Sequence, residues 1–77
     1  MSQLQTRTIK KYESDGFFVI NLIATNHNGI PDLLCLKDGF KPIFIEVKEN
    51  GDKVSLLQEY IHKQLKKQGF TLIIEKA

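Results

Sequence analysis

The sequence of 77 residues has a single cysteine, Cys35, and no tryptophan. One cysteine excludes an intramolecular disulfide and is typical of proteins kept in a reducing compartment. No apolar run approaches the roughly 20 residues that a membrane helix requires. Residues 1–8 also lack the apolar segment of a secretory signal peptide. We therefore expect one domain over residues 1–77 that is intracellular and cytoplasmic, with no membrane partner.

Charge and size exclude little else. The chain has 11 Lys and Arg against 9 Asp and Glu, a net charge of +2, and 42% hydrophobic residues. This mixed composition argues against intrinsic disorder, and the small positive excess does not by itself indicate nucleic-acid binding. A chain this short buries only about 60% of its unfolded surface, so it needs very efficient packing or a partner subunit.

The N-terminal segment has the signals of an amphipathic helix. Ser2 followed by Gln5 matches a capping box, and Gly16 is well placed to end the helix. The apolar residues that share one face are Leu4, Ile9 and Tyr12.

A second helix is predicted to begin at Ser55, with Gln58 as its capping-box partner, and to end at Gly69. Its apolar face is predicted to consist of Leu57, Tyr60, Ile61 and Leu65. The lysines at 63, 66 and 67 fall on the outer face, where solvation is a more natural role than DNA binding.

Four β-branched and aromatic segments predict strands, over residues 17–23, 32–36, 42–49 and 71–75. The resulting order is α-β-β-β-α-β, which is an α+β fold with a central mixed sheet. Three consecutive strands form an antiparallel meander, and the second helix lets the last strand return parallel to the third. The second and third strands are apolar on both faces and are therefore expected to be central.

Three charged residues, Asp32, Glu46 and Lys48, stand at the ends of these central strands. If the two strands form a hairpin centred on Gly39, Asp32 is directly opposite Glu46, so both carboxylates point to the same face. Lys48, two residues further on, points there as well. A register slip of one residue would break this arrangement.

Opposed carboxylates destabilise a sheet unless a cation lies between them. The Lys48 ammonium is one candidate, and a divalent hard cation such as Mg²⁺ is another. Two acids on one metal, with a lysine beside it, can hydrolyse a phosphodiester. Alternatively, Glu46 and Lys48 form an ordinary solvated pair where a strand leaves the core. The spacing alone does not decide between these interpretations.

The ordered motif set resembles the PD-(D/E)xK nuclease pattern and, more closely, the virus-type replication-repair nuclease (VRR-NUC) family. Its segments are Gly29-Ile30-Pro31-Asp32-Leu33-Leu34, Ile45-Glu46-Val47-Lys48 and Ser55-Leu56-Leu57-Gln58. The resemblance implies a restriction-endonuclease-like core and a metal-dependent DNA endonuclease. It also implies metal ligands from Asp32, Glu46 and the Val47 carbonyl, and catalytic roles for both acids, Lys48 and Gln58.

The resemblance further implies Mg²⁺ as cofactor, with Mn²⁺ as a substitute, and DNA as substrate. A surface this small cannot easily read a long base sequence, which favours branched or junction DNA. Like junction-resolving enzymes, the protein is expected to be a homodimer, and a phage gene in a bacterial host is a candidate origin. The residues expected near DNA phosphates are Lys10, Lys11 and Lys53. A catalytically inactive nucleic-acid-binding module of the same fold is the alternative.

One position departs from the pattern of related nucleases. Gln5 lies about where they carry a glutamate that contributes to the metal site, and an amide binds a divalent cation less well. Alternatively, Gln5 only closes the capping box with Ser2, and Gln58 has the same alternative as the partner of Ser55.

The remaining polar residues carry weaker signals. His27 and His62 have no Cys or carboxylate at ligand spacing, so a zinc site is not expected. Cys35 lies in a buried strand without a catalytic partner and is expected to act as a small core residue.

Overall fold

The computed structural model describes residues 2–77, which form two helices and one four-stranded sheet. The elements are α1 (Gln3–Ser14), β1 (Phe18–Asn21), β2 (Leu33–Leu36), β3 (Ile43–Lys48), α2 (Leu56–Lys67) and β4 (Thr71–Lys76). The strands lie in the order β1-β2-β3-β4, antiparallel except for the parallel pair β3 and β4. The predicted α+β order, mixed sheet and central position of β2 and β3 are therefore confirmed. Neither helix is long and apolar enough to cross a bilayer.

Both predicted capping boxes are present. At α1, the Gln5 N–H donates to Ser2 Oγ over 3.0 Å, and the Ser2 N–H donates to Gln5 Oε1 over 3.4 Å. At α2, the Gln58 N–H donates to Ser55 Oγ over 3.1 Å, and the Ser55 N–H donates to Gln58 Oε1 over 2.9 Å. Each box satisfies amides that have no partner within the helix, which is why both helices begin where the sequence predicts.

The first strand is shorter than the predicted range 17–23. The Phe17 N–H donates to the Tyr12 carbonyl, and the two rings meet edge to face, so Phe17 completes the end of α1 instead of starting β1. At the other end, Leu22 still donates to the Asp32 carbonyl, but Ile23 is solvent-exposed in the following loop. The other predicted strands differ from the observed bounds by one residue at most at each end.

The two helices pack on opposite faces of the sheet. The buried core residues Leu33, Cys35 and Ile45 lie on the α1 side, where Ile9 and Tyr12 pack against them. The opposite face of β3 lies under α2, because its side chains at positions 46 and 48 contact that helix. Cys35 is a fully buried free thiol, as expected, and burial raises the pKa of that thiol.

The structure buries only half of the apolar face that was predicted for α2. Ile61 and Leu65 are partly buried, but Leu57 and Tyr60 are 48% and 59% exposed. The buried residue of α2 is instead His62. Since β3 presents charged side chains to this helix, α2 turns polar residues toward the sheet and leaves part of its apolar face in solvent.

The hairpin register agrees with the prediction. Leu33 pairs with Ile45 and Cys35 pairs with Ile43, as expected for a hairpin centred on Gly39. One step beyond the last ladder pair, this register sets Asp32 opposite Glu46.

Gly29, three residues before Asp32, lies where only glycine fits. Gly29 has φ +82°, and a Cβ there would lie 2.9 Å from Leu57 Cγ and 3.3 Å from the Leu57 backbone. Both the left-handed backbone and the close approach of α2 therefore exclude a side chain. Gly51 has a similar φ of +85° but has no atom within 4 Å of its ideal Cβ.

Alanine substitutions at these two glycines distinguish the cost of backbone strain from the cost of steric contact. We expect Gly51→Ala to lower the free energy of unfolding by about 1–2 kcal/mol, the cost of a left-handed non-glycine residue. Gly29→Ala should cost clearly more, because the methyl group also displaces Leu57. Urea denaturation of both variants measures the difference, and equal losses would contradict the proposed close packing.

Candidate active site

Asp32 joins three strands. Its carboxylate oxygen Oδ2 accepts a hydrogen bond from the Val47 N–H over 2.8 Å, and its backbone carbonyl accepts one from the Leu22 N–H over 2.9 Å. The chain beyond β1 and the end of β3 are thus both held by this residue, which precedes β2. The carboxyl group of Asp32 is fixed where the sheet ladder ends.

Glu46 is buried beside Asp32, with 2% of its surface exposed. Burial is the main cause that raises the pKa of Glu46 to about 8, and the hydrogen bond and negative charge of Asp32 add to it. Lys48 acts in the opposite direction, since its Nζ lies 3.9 Å from Glu46 Oε2. In the metal-free protein at neutral pH, burial and the neighbouring Asp32 therefore favour the protonated form of Glu46.

This donor set fits a hard divalent cation, which would replace the proton of Glu46. The carboxyl groups of Asp32 and Glu46 lie side by side. The Val47 carbonyl points to the same edge of β3 as the Val47 N–H, which donates to Asp32. Among residues 2–77, no three His, Cys, Asp or Glu side chains form a group that could hold a metal ion. A metal here would therefore depend on two acids, a backbone oxygen and water, a combination that suits Mg²⁺.

Lys48 is oriented by Gln58. Its Nζ donates to Gln58 Oε1 over 2.9 Å, and the same oxygen accepts the capping hydrogen bond of Ser55. The capping alternative for Gln58 is therefore observed, and the oxygen that closes the cap also holds Lys48. The ammonium group is held beside Glu46 by the first turn of α2.

Gln5 also serves two purposes. It closes the capping box of α1, and its side chain lines a cleft of about 510 Å³ together with Asn21, Leu22, Ile23 and Asp32. Gln5 of the first helix and Asp32 therefore face the same cleft. The sequence interpretation did not include Asn21, although a polar residue at the end of an apolar strand was the available signal.

His62 is the second residue that sequence reasoning missed. Its Nε2 lies 3.6 Å from Glu46 Oε1, and both atoms are buried without a hydrogen-bond partner. Burial is the main cause that lowers the pKa of His62, and the charges of Lys66 and Lys48 lower it further, so the imidazole is neutral. No local spacing could reveal this contact, because the carboxylate comes from a different element.

One of the predicted phosphate-binding lysines has a partner outside the candidate site. Lys10, Lys11 and Lys53 are all exposed. Lys11 donates to Glu75 on β4 over 2.9 Å and lines a different cavity from the cleft that holds Asp32. Lys53 lies in the loop that leads into α2.

Comparison with known proteins agrees with the motif interpretation. The chain matches the model of the VRR-NUC domain family over residues 2–75, and it belongs to that family. It is similar to a solved structure described as a VRR_NUC domain, with a TM-score of 0.86 and 25% sequence identity. That alignment covers 97% of this chain and 82% of the other. Comparison with curated proteins finds no significant match. The family prediction is confirmed, and the fold is of nuclease type.

The carboxyl pair predicts a pH-dependent stability for the metal-free protein. Since the pKa of Glu46 is about 8 when folded and 4.5 as its ordinary value, the folded state binds more protons between these values. This group therefore makes the protein less stable as pH rises through that window. Glu46→Gln should remove the loss, because the neutral amide can still donate to Asp32.

Urea denaturation in EDTA at about pH 5 and about pH 8 measures the slope for wild type and Glu46→Gln. Glu75→Gln, which removes a strand carboxylate outside the site, is the matched control and should keep the wild-type slope. Parallel profiles for wild type and Glu46→Gln would contradict the described carboxyl pair.

Proposed function

We propose that this domain is a Mg²⁺-dependent DNA endonuclease that hydrolyses phosphodiester bonds and prefers branched or junction DNA. The observation that carries the proposal is the Asp32–Glu46 pair, in which Glu46 is buried and has Lys48 beside it, in a chain of the VRR-NUC family. Two carboxyl groups that meet across a strand pair weaken a small sheet unless a cation offsets their charge, which supports a role in metal binding. Mn²⁺ should substitute for Mg²⁺.

Asp32, Glu46 and the Val47 carbonyl would hold the metal. When bound, the metal would supply Lewis-acid polarisation of the phosphoryl oxygen and activation of the attacking water. Lys48 is positioned by Gln58 so that its ammonium can stabilise the negative charge that develops on the phosphate or orient the water. Gln58 acts through Lys48, because its carbonyl oxygen is occupied by the ammonium and the helix cap.

A single metal suits this donor set best. Two-metal sites require further carboxylates, and Asp32 and Glu46 are the acids that meet here. The oxygen of Gln5, the residue that stands where a glutamate is expected, already accepts the capping hydrogen bond of Ser2. If that oxygen bound a metal, α1 would lose the capping hydrogen bond from the Ser2 N–H.

Lys10 and Lys53 are exposed and available to DNA phosphates. Lys11 would first have to leave Glu75, but a solvent-exposed ion pair contributes only about 0–1 kcal/mol, so DNA can compete for it. Contacts with phosphates follow the DNA backbone and do not distinguish one base sequence from another. This supports recognition of DNA shape over recognition of sequence.

We also propose a homodimer. Leu56, Leu57 and Tyr60 form an exposed apolar surface on α2. A chain of 77 residues without a disulfide gains most from covering such a surface with a second copy, and two-fold dimers are the commonest solution. Two active sites in one particle could also cut opposite strands of a junction.

A nucleic-acid-binding module without catalysis is the second candidate. The glutamine at position 5, where related nucleases carry a glutamate, is the observation that favours it. The complete set of Asp32, Glu46 and Lys48 is the observation against it.

Cleavage assays on a labelled four-way junction and a matched linear duplex test the proposal. We expect cutting of the junction with Mg²⁺ or Mn²⁺ and none in EDTA. Lys48→Ala should lower the rate by about 10²–10³-fold, the usual cost of losing one group that stabilises transition-state charge. It should leave metal binding intact, because the lysine is not a ligand.

Lys67→Ala, which removes the same charge from an exposed position on α2, is the control and should cut like wild type. Cleavage that persists in excess EDTA would contradict the metal mechanism. Junction binding without cleavage under any metal would instead support the inactive module.

The dimer predicts a melting temperature that rises with protein concentration. Leu56→Glu should give a monomer whose melting temperature no longer depends on concentration, since it places a charge in the proposed interface. Phe18→Glu, a matched change at an exposed position on the edge strand β1, should leave the dimer intact. Sedimentation of wild type as a particle of 8.9 kDa would contradict the dimer.

A further inference from the structure

We propose that His62 is a positioning residue for the metal-binding carboxylate of Glu46. In this arrangement the His62 Nε2–H holds Glu46 Oε1, so that Oε2 faces the metal beside Lys48. The inference rests on the proposed function, because it assigns a partner to one of the proposed metal ligands.

The two oxygens of Glu46 have different neighbours. Oε2 lies 3.9 Å from Lys48 Nζ, whereas Oε1 lies 3.6 Å from His62 Nε2. Neither Oε1 nor Nε2 has a hydrogen-bond partner, although both atoms are buried. A shift of less than about 1 Å would bring the two atoms to hydrogen-bond distance and satisfy both.

The chemistry of the pair fixes the direction of this hydrogen bond. An ionised carboxylate only accepts, and a neutral imidazole carries one N–H donor and one acceptor nitrogen. Nε2 must therefore carry the hydrogen for the contact to be favourable. A neutral ring contributes a directed dipole without competing with the metal for charge.

A purely structural role explains His62 less well. An unsatisfied buried polar atom costs about 1–3 kcal/mol, and a leucine would fill the same space without that cost. His62 also lines a small surface cavity with Glu59, Lys63 and Lys66. Carboxylates that bind metals are commonly held by such hydrogen bonds, whose loss lowers metal affinity by about 10–100-fold.

Calorimetric titration of the metal-free protein with Mn²⁺ tests the inference without measuring cleavage. His62→Leu should weaken Mn²⁺ binding by about 10–100-fold. His62→Gln, whose amide N–H can reach the position of Nε2, should recover most of the affinity. Thr8→Val is the matched control, because it removes a buried polar group from α1 whose hydroxyl donates only to the Leu4 carbonyl.

A second measurement is independent of the metal. Long-range ¹H–¹⁵N spectra of the metal-free protein at about pH 9, where Glu46 is ionised, should show the Nε2–H tautomer of His62, and an Nδ1–H tautomer there would overturn the inference. This measurement also decides the question if His62→Leu does not fold.

The outcomes distinguish the inference from the proposed function. Wild-type affinity in His62→Leu, or equal weakening in His62→Leu and His62→Gln, would overturn the positioning role and leave the metal site standing. A wild-type protein that binds no Mn²⁺ would overturn the proposed metal site itself, and the role of His62 with it.

Discussion

The meeting of two acids, of which Glu46 is buried, is the constraint on which the rest of this small fold depends. Asp32 and Glu46 meet at the end of the β2–β3 ladder, where the Val47 N–H donates to one and the Lys48 ammonium approaches the other. Charges in such a place are tolerated only with partners. A register slip of one residue would turn Glu46 toward α1 and bring an apolar side chain into its place. Correct pairing of two short strands is therefore a condition for the site as well as for the core.

The features that could be predicted from the sequence are those specified by neighbours in the chain. Ser2 with Gln5 and Ser55 with Gln58 define the helix starts, because a capping box involves residues three apart. The hairpin register was predicted on the assumption that the two strands pair around Gly39, in the connection between Leu36 and Ile43. The meeting of Asp32 with Glu46 was predictable for that reason, although their carboxyl groups belong to different strands.

The features that the sequence did not reveal arise between elements that are distant in the chain. Hydropathy periodicity assigned Leu57 and Tyr60 to the core, because it takes no account of what the opposite surface presents. That surface carries Glu46 and Lys48, so α2 turns His62 inward instead. The pairing of Lys11 with Glu75 likewise joins the first helix to the last strand, and no local pattern anticipates it.

The carbonyl oxygen of Gln58 has a consequence for the timescale on which the site stays ordered. Because this one atom both caps α2 and holds Lys48, the lysine is oriented only while the first helical turn is closed. Helix ends open far more often than whole domains unfold, and at a much smaller free-energy cost. The ammonium can therefore lose its orientation while the sheet and both carboxyl groups remain in place. Heating should disorder this corner first, and a ligand that stabilises the start of α2 would restrain the lysine without touching it.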